Sequence, residues 1–360
     1  MKRTWISSFV TVHCQERAKV NCNAATPSKL RHKSDVFRSG GLLLMILLIG
    51  SIAYGQTLQF KEVWPMQEAR GINDSGSIVG WGILFGKFRS WVATKEQWEQ
   101  AGEVVEPFTD LPKYQGTTVV PYGISSDGTI VGRYLGEDKK VHGFWVPWES
   151  QGGKPKFGDY TAIDIPEADG TEALGIVGSK DSWTIVGSYL KGDKWHGFVQ
   201  RKDKQPELVD YPGSTSTKVW GVNKAGWIVG EYIDGAGTHG FSRDAAKKVW
   251  SSIDLATGKG SWTVAYGIND SSPLFPLIAG TYSDGQNKHG FVATHKIDNG
   301  KRKNTSLFGI NNGNFVTGDS PDPDKLPSGI VGIPQKPPSC PDDGGSCPGD
   351  EDELPNDSPE

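Results

Sequence analysis

The feature that most constrains this chain is a repeat. A Gly-Ile-Asn triplet, or a near variant, occurs at Gly71-Ile72-Asn73, Gly123-Ile124-Ser125, Gly175-Ile176-Val177, Gly221-Val222-Asn223, Gly267-Ile268-Asn269 and Gly309-Ile310-Asn311. The intervals are 52, 52, 46, 46 and 42 residues. A period of this size means one supersecondary unit used several times, each copy unable to cover its apolar faces without its neighbours.

Each copy reads as short strands joined by tight turns. After the triplet comes a polar turn ending in Gly, then a β-branched run closing on Gly80, Gly132, Gly187, Gly230 or Gly280, with a weaker Phe315-Val316-Thr317-Gly318 in the last copy. Small polar turns between β-branched runs are hairpin signals. A third segment, His-Gly-Phe, recurs with His142, His196, His239 and His289, and Arg89-Ser90-Trp91 takes its place in the first copy. A fourth segment carries Asp164, Asp210 or Asp254, twice followed closely by Pro, as suits a strand at a sheet edge. Four strands in about 45 residues are the proportions of a propeller blade.

The combination of Gly-Ile-Asn, Ile-Val-Gly-x-Tyr, His-Gly-Phe and Ile-Asp-x-Pro, spanning roughly residues 58 to 318, resembles the HAF repeat family of bacterial extracellular proteins. The resemblance implies an exported, repeat-built β protein and carries no catalytic residues with it. Arg89 in place of His, the long turn Ser271 to Leu277, and the missing final His-Gly-Phe depart from the pattern.

The expected fold is an all-β propeller over residues 56–320, with a parallel β-helix as the less fitting alternative because hairpin turns are so frequent. Five copies are complete and the sixth shows only two strands, whereas Leu58 to Trp64 is a fourth-type strand with no copy before it. Pairing that strand with the last copy closes six blades, and the apolar island Gly329-Ile330-Val331-Gly332-Ile333 can supply the missing third strand. Five blades with extra terminal strands is the other arrangement.

Outside the repeats, residues 1–55 hold a basic lead, an apolar run from Gly41 to Gly50, and Ala53-Tyr54-Gly55 before Gln56, which is the layout of a cleaved secretory signal. The apolar run is too short for a spanning helix, so no stable membrane span is expected after cleavage. Residues 321–360 are rich in Pro, Asp and Gly and read as a disordered acidic tail, with calcium binding as the functional alternative. Cys340 and Cys347, the two cysteines after the leader, suit a local disulfide in an oxidising compartment.

The repeated histidines have two readings: a ring of metal or anion ligands, or hydrogen-bonding bridges within the scaffold, which a residue repeated once per blade favours. The repeated glycines read as positions of positive φ or close backbone approach. Asp164, Asp210 and Asp254 read as turn caps, and the insertions Glu149 to Asp159 and Ser271 to Leu277 show no nucleophile–base pairing or metal spacing. No cofactor, metal or catalytic residue is therefore expected. A net charge of −4 without a basic cluster after the leader argues against nucleic acid. The expected role is a secreted, monomeric binding or structural module for an extracellular protein or polysaccharide, with a carbohydrate-active propeller as the alternative. Trp148, Trp183, Trp195 and Trp262 lie outside the repeat consensus and have two readings, packing between blades or, for some of them, exposed platforms for sugars.

Overall fold

The computed structural model describes residues 8–10, 58–100, 108–151, 154–298, 304–321 and 328–335. The apolar run of the leader, the Cys340 and Cys347 pair and the acidic stretch lie outside them. Six small antiparallel sheets form a six-bladed β-propeller. From the axis outward, the first blade is Glu68–Ile72, Ile78–Leu84, Lys87–Ala93 and Thr109–Asp110. The second is Val120–Ile124, Ile130–Leu135, Val141–Val146 and Thr161–Ile163. The third is Gly170–Ser179, Ser182–Lys191, Lys194–Arg201 and Glu207–Val209. The fourth is Ser216–Val222, Ile228–Ile233, Thr238–Arg243 and Trp250–Ile253. The fifth is Ser261–Ile268, Ile278–Asp284, Lys288–Val292 and His295–Ile297.

The sixth blade joins the two ends of the chain. Ser306–Ile310 and Val316–Asp319 pair with Gly329–Pro334, which pairs in turn with Leu58–Glu62. Ser8–Val10 lies along the outer edge of that last strand. The apolar island is thus a blade strand, and the ring runs past residue 320, where the sequence reading ends it. The reason is physical: an Ile-Val-Gly-Ile run placed between two neighbouring strands leaves water.

Each junction between blades holds one apolar cluster. Val186, Val219, Ile228 and Phe241 fill the third-to-fourth junction, and Val63, Ala69, Ile78 and Val331 the sixth-to-first. The Phe of each His-Gly-Phe is fully buried. The five glycines that close the second-strand run make room for this packing. A Cβ on Gly230 would lie 2.0 Å from the Lys218 carbonyl oxygen and 2.8 Å from the Phe241 ring. Of the two roles open to these glycines, this is close approach and not positive φ.

The triplet asparagines lock successive blades at one mouth of the ring. Asn223 Nδ2 donates to Asn269 O, Asn269 to Asn311 O, Asn311 to Asn73 O and Asn73 to Ser125 O. The Asn311 bond spans 238 residues of sequence and bridges the sixth blade to the first. We call this the lower mouth; it carries the turns between first and second strands. The upper mouth carries the turns between second and third strands and the connectors from blade to blade.

Candidate functional site

Every inner strand carries a β-bulge immediately before the triplet glycine. The extra residues are Arg70, Tyr122, Leu174, Trp220, Tyr266 and Phe308, and all six line the axis. A bulge leaves one residue out of the ladder and re-aims it, and here the glycine that follows allows the neighbouring strand to approach. A Cβ on Gly221 would be 2.6 Å from Tyr266 O. The rings meet edge to face: Trp220 to Tyr266 at 5.0 Å, Tyr266 to Phe308 at 5.2 Å and Tyr122 to Trp220 at 6.1 Å. The Arg70 guanidinium lies 4.0 Å from the centre of the Phe308 ring. The space left on the axis is about 90 Å³, room for a few waters (each about 30 Å³) and not for a sugar. The axis is plugged, so a ligand at this end rests on the mouth.

Towards the upper mouth the plug is overlaid by charge. Arg133 Nη1 donates to Glu172 Oε1 at 2.6 Å, and Lys218 Nζ to Glu172 Oε2 at 3.2 Å, tying the second, third and fourth blades together. Glu172 is buried, while the Arg133 side chain is 40% exposed. Glu231 receives Trp220 Nε1–H at 3.3 Å; burial raises its pKa against the opposing pull of Lys218. Asp319 occupies the equivalent place on the sixth blade. Burial pushes its carboxyl up to about 6, against a hydrogen bond from Ser306, and its Oδ1 is buried without a hydrogen-bond partner.

Around the same mouth, the His-Gly-Phe histidines form clamps within their own blades. His239 contacts Asp254 through Nδ1 at 2.8 Å and Asp234 of the adjacent turn through Nε2 at 3.2 Å. His142 does the same with Asp164 and Asp138, and His289 with Asp298 and Asp284. His196 contacts Asp210 at 2.9 Å. Burial acts to lower the pKa of His142 and of His239, but the paired aspartates outweigh it and the net shift is upward. Among the described residues no group of three or more His, Cys, Asp or Glu side chains is placed to hold a metal ion. Arg89, standing where His stands elsewhere, pairs with Asp110 in the same manner. The fourth-segment aspartates therefore answer the third-segment cation. Asp110 and Asp298, which the sequence reading did not single out, complete the set.

The first blade breaks the pattern. Its second-to-third turn carries Phe85, 86% exposed, between Ile83 at 52% and Phe88 at 39%. Trp81 stacks on Phe88 with ring centres 5.2 Å apart. The connector bearing Trp64, 42% exposed, runs beside this hairpin, because Gln67 N–H donates to Trp81 O at 2.9 Å. An aromatic and aliphatic face thus stands at the upper mouth where the second, fourth and fifth blades place the turn aspartate of their His–Asp clamps. The tryptophans proposed from sequence lie elsewhere. Trp148 and Trp183 are buried, so they are not platforms; each lies inside an apolar cluster between blades. Trp195 is half-buried with the Lys218 ammonium 3.8 Å from its ring centre, and Trp262 is half-buried in the fifth inner strand.

No family model matches the chain, and no curated protein sequence does. Among solved structures, a mutant of AofleA from Arthrobotrys oligospora is similar at 13% identity and a TM-score of 0.46, over 78% of this chain and 88% of that one. Aleuria aurantia lectin in complex with a fucosylated sugar is similar at 13% identity and 0.41, over 75% and 97%. Trypanosoma rangeli sialidase is similar at 9% identity and 0.43; 74% of this chain covers 54% of the sialidase, about half its length.

Proposed function

We propose that the protein is an exported, non-catalytic binding module that takes a glycan at the upper mouth of its ring. The observation that carries the reading is the exposed cluster of Trp64, Phe85 and Phe88, with Trp81 stacked behind, at the first blade, where Arg89 replaces the clamp histidine. Flat ring faces suit the apolar face of a pyranose, and the half-exposed Arg133 offers N–H donors to its hydroxyl edge. Export rests on the leader composition; removal of residues 1–55 takes the edge strand Ser8–Val10 with it and leaves the four-stranded sixth blade whole. The test is retention on immobilised polysaccharides. Trp64→Ala combined with Phe85→Ser should abolish it while the melting temperature stays within a degree or two, and unchanged retention would sink the assignment.

A second reading is favoured by one observation. Two partly buried carboxylates, Glu231 and Asp319, have pKa values raised by desolvation beside the axis, the property of an acid catalyst. Turnover of a glycoside panel between pH 5 and 7 that disappears in Asp319→Asn would favour a carbohydrate-active propeller; an inactive wild type leaves the binding module.

A further inference from the structure

On the opposite face lies a cavity of about 320 Å³ between the third and fourth blades. It arises where the repeat fails. The third triplet ends in Val177 and has no amide to offer, so the asparagine lock seen at four junctions is replaced here by Arg243 Nη1 donating to Glu207 Oε1 at 3.4 Å. The third blade's first hairpin is also the longest, ten residues in each strand, and its tip residues Val177 and Thr184 wall the cavity.

The lining is cationic. Arg201, Lys224, Arg243 and Lys248 face a single lining carboxylate, Glu207, which contacts both guanidinium groups. Lys224 Nζ also lies 3.7 Å from Asp270, outside the cavity. Arg243 is held from behind by Trp250, whose ring centre is 5.1 Å from its guanidinium carbon. Its side chain is only 13% exposed, and its Nε–H is buried without a hydrogen-bond partner. A guanidinium held in position on a positively charged wall is a receptor for an oxyanion.

We infer that this cavity binds a single acidic sugar unit through its carboxylate. The volume is at the small end of ligand pockets (about 300–1,000 Å³) and exceeds what a bare oxyanion fills. Glu207 decides the class: it repels a small dianion such as sulfate but accepts hydrogen bonds from sugar hydroxyls, while Arg243 and the lysines take the carboxylate. The inference is independent of the upper-mouth site, which lies on the other face.

The test is calorimetric titration of the full chain at low salt with D-glucuronate, D-glucose and inorganic sulfate. Glucuronate should bind at least about tenfold tighter than either of the others, and Arg243→Gln should weaken it by about tenfold or more, the scale of one charge-assisted hydrogen bond. Lys248→Ala, at an exposed turn, should weaken it severalfold and keeps the test informative if Arg243→Gln does not fold. Trp64→Ala should leave it unchanged. Equal binding of glucose, sulfate bound as tightly as glucuronate, or a folded Arg243→Gln with wild-type affinity would each overturn the inference.

Discussion

Asp319→Asn should stabilise this protein at neutral and alkaline pH. The Asp319 carboxyl is pushed by burial from the ordinary aspartate value of 3.8 to about 6, and one carboxylate oxygen has no hydrogen-bond partner. At about 1.4 kcal/mol per tenfold change in proton affinity, holding this group ionised in the fold costs roughly 3 kcal/mol at pH 8. The sign follows from proton uptake. Between 3.8 and about 6 the folded state binds the proton more tightly than the unfolded chain, so stability falls as pH rises through that window. Asparagine keeps the shape and removes the charge. The variant should match the wild type near pH 4 and exceed it at pH 8 by up to about 3 kcal/mol, seen in thermal melts as a gain on the order of 5 °C. Ser306, which hydrogen-bonds the carboxylate, retains an acceptor in the amide oxygen. An Asp319→Asn protein with the same pH dependence as the wild type, or a lower melting temperature at pH 8, would refute the reasoning.

Three further outcomes follow from the scaffold. Gly230→Ala should cost about 3 kcal/mol or more, because its Cβ would sit 2.0 Å from a backbone oxygen, whereas Gly235→Ala, with nothing within 4 Å, should be nearly neutral in urea titration. Asn311→Ala removes the donor to Asn73 O and the acceptor for Gly313 N–H and Phe315 N–H; the expected loss is on the order of 2 kcal/mol, with earlier proteolysis of the sixth blade. For His239 the folded pKa is raised, so its clamp contributes most below about pH 6.5 and the contribution fades as pH rises through the raised value. His239→Gln should flatten that part of the stability profile by less than about 1 kcal/mol, as befits an exposed pair.

Much of the ring was legible because its elements repeat. The triplet and the second-strand glycine each perform one packing task six times and His-Gly-Phe four times, so the pattern announces itself. Leu58 to Trp64 could be matched to an incomplete last copy because its type recurs elsewhere. The site was less legible because it is made of what differs. Arg70, Tyr122, Leu174, Trp220, Tyr266 and Phe308 share a place in the bulge but no chemistry, so no consensus marks them; the one signal is a bulky residue immediately before each triplet glycine. Trp148 and Trp183 stood out as non-repeat aromatics, yet blade-to-blade packing buries them, and only the location of a side chain relative to the neighbouring blade decides that. Phe85 was missed because an aromatic residue in a hairpin turn, here at a φ of 51°, runs against turn preference. The cavity between the third and fourth blades arises from Val177, whose missing amide is visible in the triplet, but the arginines around it converge only in the folded ring.

The most direct measurement is retention of the purified protein on a panel of immobilised polysaccharides, run in parallel with the Trp64→Ala, Phe85→Ser double variant. The account predicts that the wild type is retained by particular glycans and that the variant, with an unaltered melting temperature, is not. No retention of the wild type by any glycan, or equal retention of a folded variant, would contradict a glycan-binding upper mouth.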